Sequence, residues 1–371
     1  MSEMKQSDRE RVICARRNLH SIPEPSGYEK KTKAFIIDFL TENTDLEVRD
    51  MGRWLYAKHD EGAEETAAVR ADFDAVCVDG TARHLCGHDG HTASLLGLAL
   101  LLTGKRIGRN VILLFQHAEE NGEGAAECLK LFESEKVDLV LGAHNIPGIP
   151  LGTVVLKRGT FACASCGMEI SMRGTPTHAA YPENGRNPAF ALAKLTLEVP
   201  KTACEIEKKH GVMTLSTTVG LNVGERAFGV AASSGSLLVT LRSERTEALD
   251  ELVRLTGEAA ARLADDDGLT VETKLFDVFP ATVNDDGLIS GIERVCEREK
   301  LPYLYIDVPF RWSEDFGHYG SRARACFIGI GSGEETAPLH TDGYEYPDEL
   351  AVRTAEVWIR IISMSLAGEK K

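Results

Sequence analysis

The sequence predicts an α/β protein with a mixed, mostly parallel sheet, interrupted by a smaller inserted α+β domain. Three observations predict it. Apolar runs alternate with helix-like stretches between Ala67 and His144. The order strand–helix–strand–strand–helix–strand follows between Gly167 and Phe276. The α/β alternation resumes after Pro280. At 371 residues the chain exceeds what one hydrophobic core usually holds. Two domains are expected: a discontinuous one of residues 1–163 and 277–371, and an insertion of residues 164–276.

The N-terminus reads as two helices, Asp8 to His20 and Tyr28 to Leu40, broken by Ile22-Pro23-Glu24-Pro25-Ser26-Gly27, where the prolines force a turn. Ala67 to Ala71 reads as a strand ending at Asp72-Phe73-Asp74. The stretch Leu85-Cys86-Gly87-His88-Asp89-Gly90-His91-Thr92 leads into the helix-like run Ala93 to Leu102. Asn110 to His117 carries the continuous run Val-Ile-Leu-Leu-Phe, typical of a strand buried on both faces, and ends at Glu119-Glu120. One helix, Gly122 to Phe132, leads to a strand from Val137 to Leu141, with His144 after it. In open α/β sheets, binding crevices form beyond the carboxyl ends of the strands. Asp74, Cys86, Glu119, Glu120 and His144 are therefore expected on one rim.

In the insertion, Gly167–Met172, Met213–Val223, Ser236–Ser243 and Leu269–Phe276 read as strands. Asn187–Glu207 and Thr246–Ala264 read as helices, with Thr246 as the N-cap of the second. Leu249, Leu252, Val253, Thr256, Ala260 and Leu263 fall on one face of that helix. This order is the ferredoxin-like split unit, and about 110 residues is a usual size for a small domain. A helix from Asp285, strands at Tyr303–Ile306 and Cys326–Gly329, and a helix from Pro347 complete the first domain.

Composition excludes several classes. With 43% hydrophobic and 27% charged residues the chain is globular. A net charge of -15 argues against a nucleic-acid partner, whose phosphates demand a basic face. No apolar run is long enough to span a bilayer, and the charged stretch Met1 to Arg11 is no secretory signal. Nine cysteines without a disulfide rhythm read as reduced thiols, and a cytoplasmic location is expected.

Cys, His and carboxylate side chains bind first-row divalent metals. Cys86 and His88 stand at i, i+2 in a glycine-bearing turn that can aim both at one place; a buried thiol beside a surface histidine fits the same spacing. Glu119 and Glu120 repel each other unless a cation or proton sits near them; a solvated strand end is the alternative. His144, in Gly142-Ala143-His144-Asn145, and His340, in Ala337-Pro338-Leu339-His340-Thr341-Asp342, gain interest from their company. Read together, these residues point to a two-metal hydrolase.

The chain resembles metallopeptidase family twenty, subfamily D, which includes aminoacylase-like, hippurate and auxin-conjugate amidohydrolases. The matching stretches are Arg17 to Glu24, Arg70-Ala71-Asp72-Phe73-Asp74-Ala75, Cys86 to Ala93, Gln116-His117-Ala118-Glu119-Glu120, Gly174 to Pro182, Ser313-Glu314-Asp315-Phe316 and His340. They run in the family's order across nearly the whole chain. The resemblance implies a zinc-peptidase-like catalytic domain holding two divalent metal ions: zinc on softness grounds, with manganese, cobalt or nickel as alternatives. Cys86 would bridge the two ions, and His88, Glu120, His144 and His340 would complete their coordination. Glu119 would be the general base, and Asp74 would orient a ligand imidazole. His178, in the insertion, would bind substrate and steady the oxyanion. The insertion would act as a lid and join two chains in a homodimer.

Two departures from the family pattern stand out. His117 replaces a usual proline, placing an extra imidazole beside Glu119, with a side chain expected to point away. The lid stretch Ala227 to Gly235 lacks the usual asparagine and proline, which bears on substrate class. The expected activity is cleavage of an N-acyl amino acid or a small peptide-like amide. A metallo-dipeptidase or aminopeptidase is the alternative enzyme, and a catalytically silent binder with the same fold is the alternative of another class.

Overall fold

In the computed structural model, which describes residues 3–364, the chain divides into two units. The first runs to Phe161 and takes in Thr282–Pro309 and the chain from Asp315; the second is Ala162–Ala281 with Phe310–Glu314.

The first unit opens with helices α1 (Gln6–His20) and α2 (Lys30–Asn43) and the strands β1 (Glu47–Asp50), β2 (Leu55–His59) and β3 (Thr66–Asp72). A small hairpin, β4 (Val76–Val78) and β5 (Thr81–Arg83), precedes helix α3 (His88–Leu102). Strand β6 (Asn110–Gln116), short helices α4 (Gly124–Cys128) and α5 (Leu131–Ser134), and strands β7 (Leu139–Pro147), β8 (Val154–Leu156) and β9 (Gly159–Ala162) follow. The second unit holds β10 (Ala164–Arg173), β11 (Thr177–His178), α6 (Ala189–His210), β12 (Thr214–Val223), β13 (Val230–Ala231), β14 (Ser234–Ser243), α7 (Thr246–Asp266) and β15 (Thr270–Phe279). The chain returns through β16 (Thr282–Asn284), α8 (Asp286–Glu299), β17 (Tyr303–Tyr305), β18 (Arg324–Gly333) and α9 (Asp348–Ile362).

An eight-stranded mixed sheet in the order β1-β2-β6-β3-β7-β18-β8-β17 organises the first unit. β6, β3, β7 and β18 run parallel, while β1, β2 and β8 pair antiparallel with their inner neighbours. Every residue of β3 and β6 is buried, as expected of strands covered on both faces. The charged edge strand β1 carries Glu47, Arg49 and Asp50, which discourage further pairing. All of α3 is buried, packed between α1 and α9, which is why its sequence is apolar on every side. Because β3, β6 and β7 are parallel, their carboxyl ends share one rim.

Three local expectations are corrected. His144 lies inside β7, not beyond it: the parallel ladder with β18 continues through Gly329 opposite His144 to Gly333 opposite Pro147. The helix expected from Gly122 to Phe132 is two short ones, because the backbone tightens to three-residue hydrogen bonds at Lys130 and Phe132. Thr246 does not cap α7; Arg245 occupies the cap position and the Thr246 hydroxyl accepts the N–H of Ala281.

In the second unit a four-stranded antiparallel sheet, β12-β14-β10-β15, packs one face against α6 and α7. Alternate residues Met168, Ile170 and Met172 of β10 and Leu237, Val239 and Leu241 of β14 enter its core, beside Leu192, Leu195 and Val199 of α6. That apolar face of α6 continues past Pro200 to Ala203 and Ile206, so the helix survives an internal proline. Phe310–Glu314 belongs here because Cys163 N–H donates to the carbonyls of Phe310 and Trp312, and Arg242 donates to Arg311 and Ser313. Among the described residues no helix is long and apolar enough to cross a membrane.

Candidate metal centre

Asp74 lies two residues beyond β3, and Glu119 and Glu120 lie just beyond β6. His144 projects from β7, Cys86 stands two residues before α3, and His340 comes from the coil between β18 and α9. Gly87 caps α3 in a left-handed conformation, φ 98°. A Cβ there would lie 2.6 Å from both Asn145 Oδ1 and the Tyr344 hydroxyl. Glycine thus lets the Cys86–His88 turn press against β7. His340 is also left-handed, φ 61°, and its N–H donates to the carbonyl of Leu85, tying it back to the cysteine turn.

The Cys86 thiol is the shared point of two triads. Its Sγ lies 3.3 Å from His144 Nε2 and 3.2 Å from His340 Nε2. Ligand atoms of Cys86, His88 and His144 lie within 4.8 Å of one another, and so do those of Cys86, Glu120 and His340. His88 Nε2 stands 3.8 Å from Glu119 Oε2 and 3.7 Å from Glu120 Oε1.

The imidazoles are held by their far nitrogens. His88 Nδ1 donates to Asp74, at 3.1 Å from both its carbonyl and its carboxylate. His144 Nδ1 donates to the carbonyl of Asn145 at 2.9 Å. In the neutral ring each bond leaves Nε2 as the unprotonated nitrogen, the arrangement metal-binding histidines adopt. His88 Nε2 and Glu120 Oε1 are buried with no hydrogen-bond partner among the described residues. Such groups are costly unless something else satisfies them. Thiolate, imidazole and carboxylate donors around two orphaned atoms fit a pair of divalent cations.

Electrostatics agree. Burial, reinforced by Asp74 and Asp72, pushes the Glu120 carboxyl up to about 7. Burial pushes the Cys86 thiol far up, with Glu120 adding to it. Burial would lower His88, yet Asp72 and Cys86 hold it well above the ordinary imidazole range. Burial and His91 drive His144 well down. Carboxylates and a thiol gathered in a largely buried place favour a nearby positive charge.

A further group of Asp72, His88 and His91 also clusters. Here Asp72 is already engaged: Arg70 donates to one oxygen at 2.5 Å and His91 Nδ1 to the other at 2.6 Å. His91 in turn faces Asn145 Oδ1 at 2.6 Å. This buried chain braces the rim behind His144. Asp89 turns the other way, pairing with His20 at 2.8 Å. His117 turns from the centre and meets Glu127 at 3.0 Å.

The structure therefore brings Cys86, His88, Glu119, Glu120, His144, His340 and Asp74 together. His178 belongs to the second unit. It is exposed on β11, opposite Val230 of β13, and its Nδ1 accepts the N–H of Ala180 at 3.0 Å. His91 is a brace, as its place in the cysteine turn suggests, whereas sequence reasoning missed Asp72, Ser26 and Glu29. Ser26 Oγ donates to Asp74 Oδ2 at 2.7 Å.

The model of peptidase family M20/M25/M40 matches residues 68–364. N-acetyl-L-cysteine deacetylase from Bacillus subtilis (strain 168) is 28% identical over 337 residues, 86% of this chain and 80% of the relative. A second protein of that organism, N-acetylcysteine deacetylase, is 28% identical over 341 residues, 87% of this chain and 88% of its own length. The crystal structure of a dinuclear metal-binding peptidase of the M20 family from Bacillus subtilis superposes with a TM-score of 0.81 at 24% identity, covering 98% of this chain and 99% of that one. With that match across most of its length, the chain belongs to peptidase family M20/M25/M40 and is a hydrolase acting on C–N bonds.

Proposed function

We propose that this protein is a two-metal amidohydrolase of subfamily D that cleaves the amide bond of N-acyl amino acids or small peptide-like amides. One observation carries the reading: Cys86 is common to two ligand triads, one wholly buried and one opening to the surface at His340, with the Glu119 carboxylate beside them. Cys86, His88 and His144 would hold one ion, and Cys86, Glu120 and His340 the other. Two bound divalent ions would supply Lewis acidity toward the scissile carbonyl and toward water. Zinc suits the thiolate best, and manganese, cobalt and nickel suit the remaining donors.

The chain's own groups supply the rest. Glu119 takes a proton from the attacking water and delivers it to the amine nitrogen as the C–N bond breaks. Asp74 fixes the tautomer of His88. His178, on the second unit, binds substrate and steadies the oxyanion. That unit's strand order supports a ferredoxin-like reading, and the unit would act as a lid. Its edge strands β12 and β15 expose Val219, Leu221, Leu275, Phe276 and Val278, which supports a homodimer joined through it. The N-acetylcysteine deacetylase names of two relatives favour N-acyl amino acids over dipeptides. The nine free cysteines suit a cytoplasmic enzyme.

The test pairs metal content with turnover. The purified protein, loaded with zinc, manganese or cobalt, is assayed on N-acetyl amino acids and on dipeptides. Two ions per chain and hydrolysis of N-acetyl amino acids are expected. Glu119→Gln should keep both ions and lose about 10²- to 10⁴-fold in rate. Faster cleavage of dipeptides would favour the peptidase reading. A wild type that cleaves neither class with any of the metals would overturn the enzymatic one.

A further inference from the structure

The turn before α2 reaches the metal rim through two side chains. Glu29 is buried, and its Oε1 accepts the N–H of Gly27 at 2.8 Å and of Ala118 at 2.9 Å. Ala118 is fully buried and left-handed, φ 48°, immediately before Glu119. A non-glycine residue holds that conformation only when its surroundings impose it. Its carbonyl is fixed by the N–H of Gly124 at 3.0 Å, and its N–H is fixed by Glu29. Without that carboxylate a buried N–H would be orphaned at the point that aims Glu119.

Ser26, three residues earlier, holds the companion group. Its hydroxyl donates to Asp74 Oδ2, which also accepts the N–H of Glu120 at 3.0 Å. The turn itself is fastened. Glu24 Oε2 accepts the N–H groups of Lys31 and Thr32, and Ala75 N–H donates to the Glu24 carbonyl. One short segment thus grips both ends of the carboxylate set, 89 residues away along the chain at Ala118.

We infer that Glu29 and Ser26 are positioning residues: Glu29 sets the backbone that aims Glu119, and Ser26 sets Asp74 and, through it, His88. The inference rests on Glu119 being the proton-transfer group. Neither residue touches the reacting atoms.

Glu29→Ala, Glu29→Gln and Ser26→Ala variants of the full chain test it. In Glu29→Ala, amide exchange over residues 117–121 should quicken by about tenfold or more. Bound zinc should stay at the wild-type number. On the best N-acetyl amino acid of the panel, kcat should fall about 10- to 100-fold with little change in KM. The acid limb of its pH profile should move. Glu29→Gln should restore exchange protection and most of kcat, because one amide oxygen can accept both N–H bonds. Ser26→Ala should weaken zinc binding and leave exchange at Ala118, which Glu29 holds, unchanged. Unchanged exchange in Glu29→Ala, or equal damage from the alanine and glutamine variants, would overturn the inference. If the wild type cleaves nothing, the amidohydrolase reading falls, and the exchange result alone decides whether Glu29 holds the turn.

Discussion

The carboxylate of Asp74 stands 3.1 Å from Nδ1 of His88, and both groups are almost wholly buried. Its other oxygen takes the N–H of Glu120 and the hydroxyl of Ser26. A carboxylate meets three donors here with acceptors alone. An amide cannot, because its nitrogen would have to face one of them. Asp74→Asn should weaken zinc binding by about 10- to 100-fold, measured by competition with a chelator. Affinity equal to wild type would remove Asp74 from the support of the centre.

Cys86 differs from its neighbours in softness as well as position. Cys86→Ser should lose at least about 100-fold in zinc affinity, more than a lost brace costs. Cys86→Asp restores a charged donor at the shared point, so binding should return with preference moved toward manganese. Calorimetric titration of the three proteins with both metals reads this directly. A serine variant that still takes two zinc ions at wild-type affinity would show that the thiol does not ligate.

Nine free thiols should divide by burial. Cys14, Cys77 and Cys204 are exposed, and the other six are buried. Burial pushes Cys163 and Cys166 up to about 11. Thiolate is the reactive form, and its share falls about tenfold for each pH unit below the pKa. In mildly alkaline buffer an aromatic disulfide reagent should modify three thiols quickly in the native protein. The remaining six should appear only in denaturant. Raising the pH should speed the buried pair, not slow it.

Gly90, inside α3, is a packing contact. A Cβ there would lie 2.3 Å from ring carbons of Tyr346. Alanine is favoured over glycine in a helix by about 1 kcal/mol, whereas overpacking a filled core costs about 1–3 kcal/mol. The clash should win for Gly90→Ala, with a lower denaturant midpoint. Gly97→Ala in the same helix meets Ala355 Cβ at 2.9 Å, a milder approach, and should cost less.

Much of the rim was legible because it follows from periodicity. Buried apolar runs mark β3 and β6, parallel strands share their carboxyl ends, and Asp74, Glu119 and Glu120 lie just past them. The apolar run ends at Leu141, so His144 reads as lying beyond its strand; pairing with β18, almost two hundred residues later, carries β7 through it. His340 sits in coil with no local signal, so it gains weight only from the company of the other candidates and from the family resemblance. Glu29 reads as an ordinary acid at a helix start, and nothing near it in sequence announces Ala118. The hairpin of β1 and β2 is hard to read from sequence because a four-residue charged strand such as β1 resembles a loop. Contacts made at long range leave no mark in composition.

The position of β18 has a kinetic meaning. It lies between β7 and β8 in the large sheet, although about 120 residues of the second unit and further elements are synthesised after β8 and before β18. During synthesis β7 therefore waits with an open edge until Arg324–Gly333 has been made. Non-local pairing of this kind slows folding, and unpaired edges invite association. The strand that carries His144 is thus among the last parts of the sheet to be closed, and a nascent chain holds only part of the candidate ligand set.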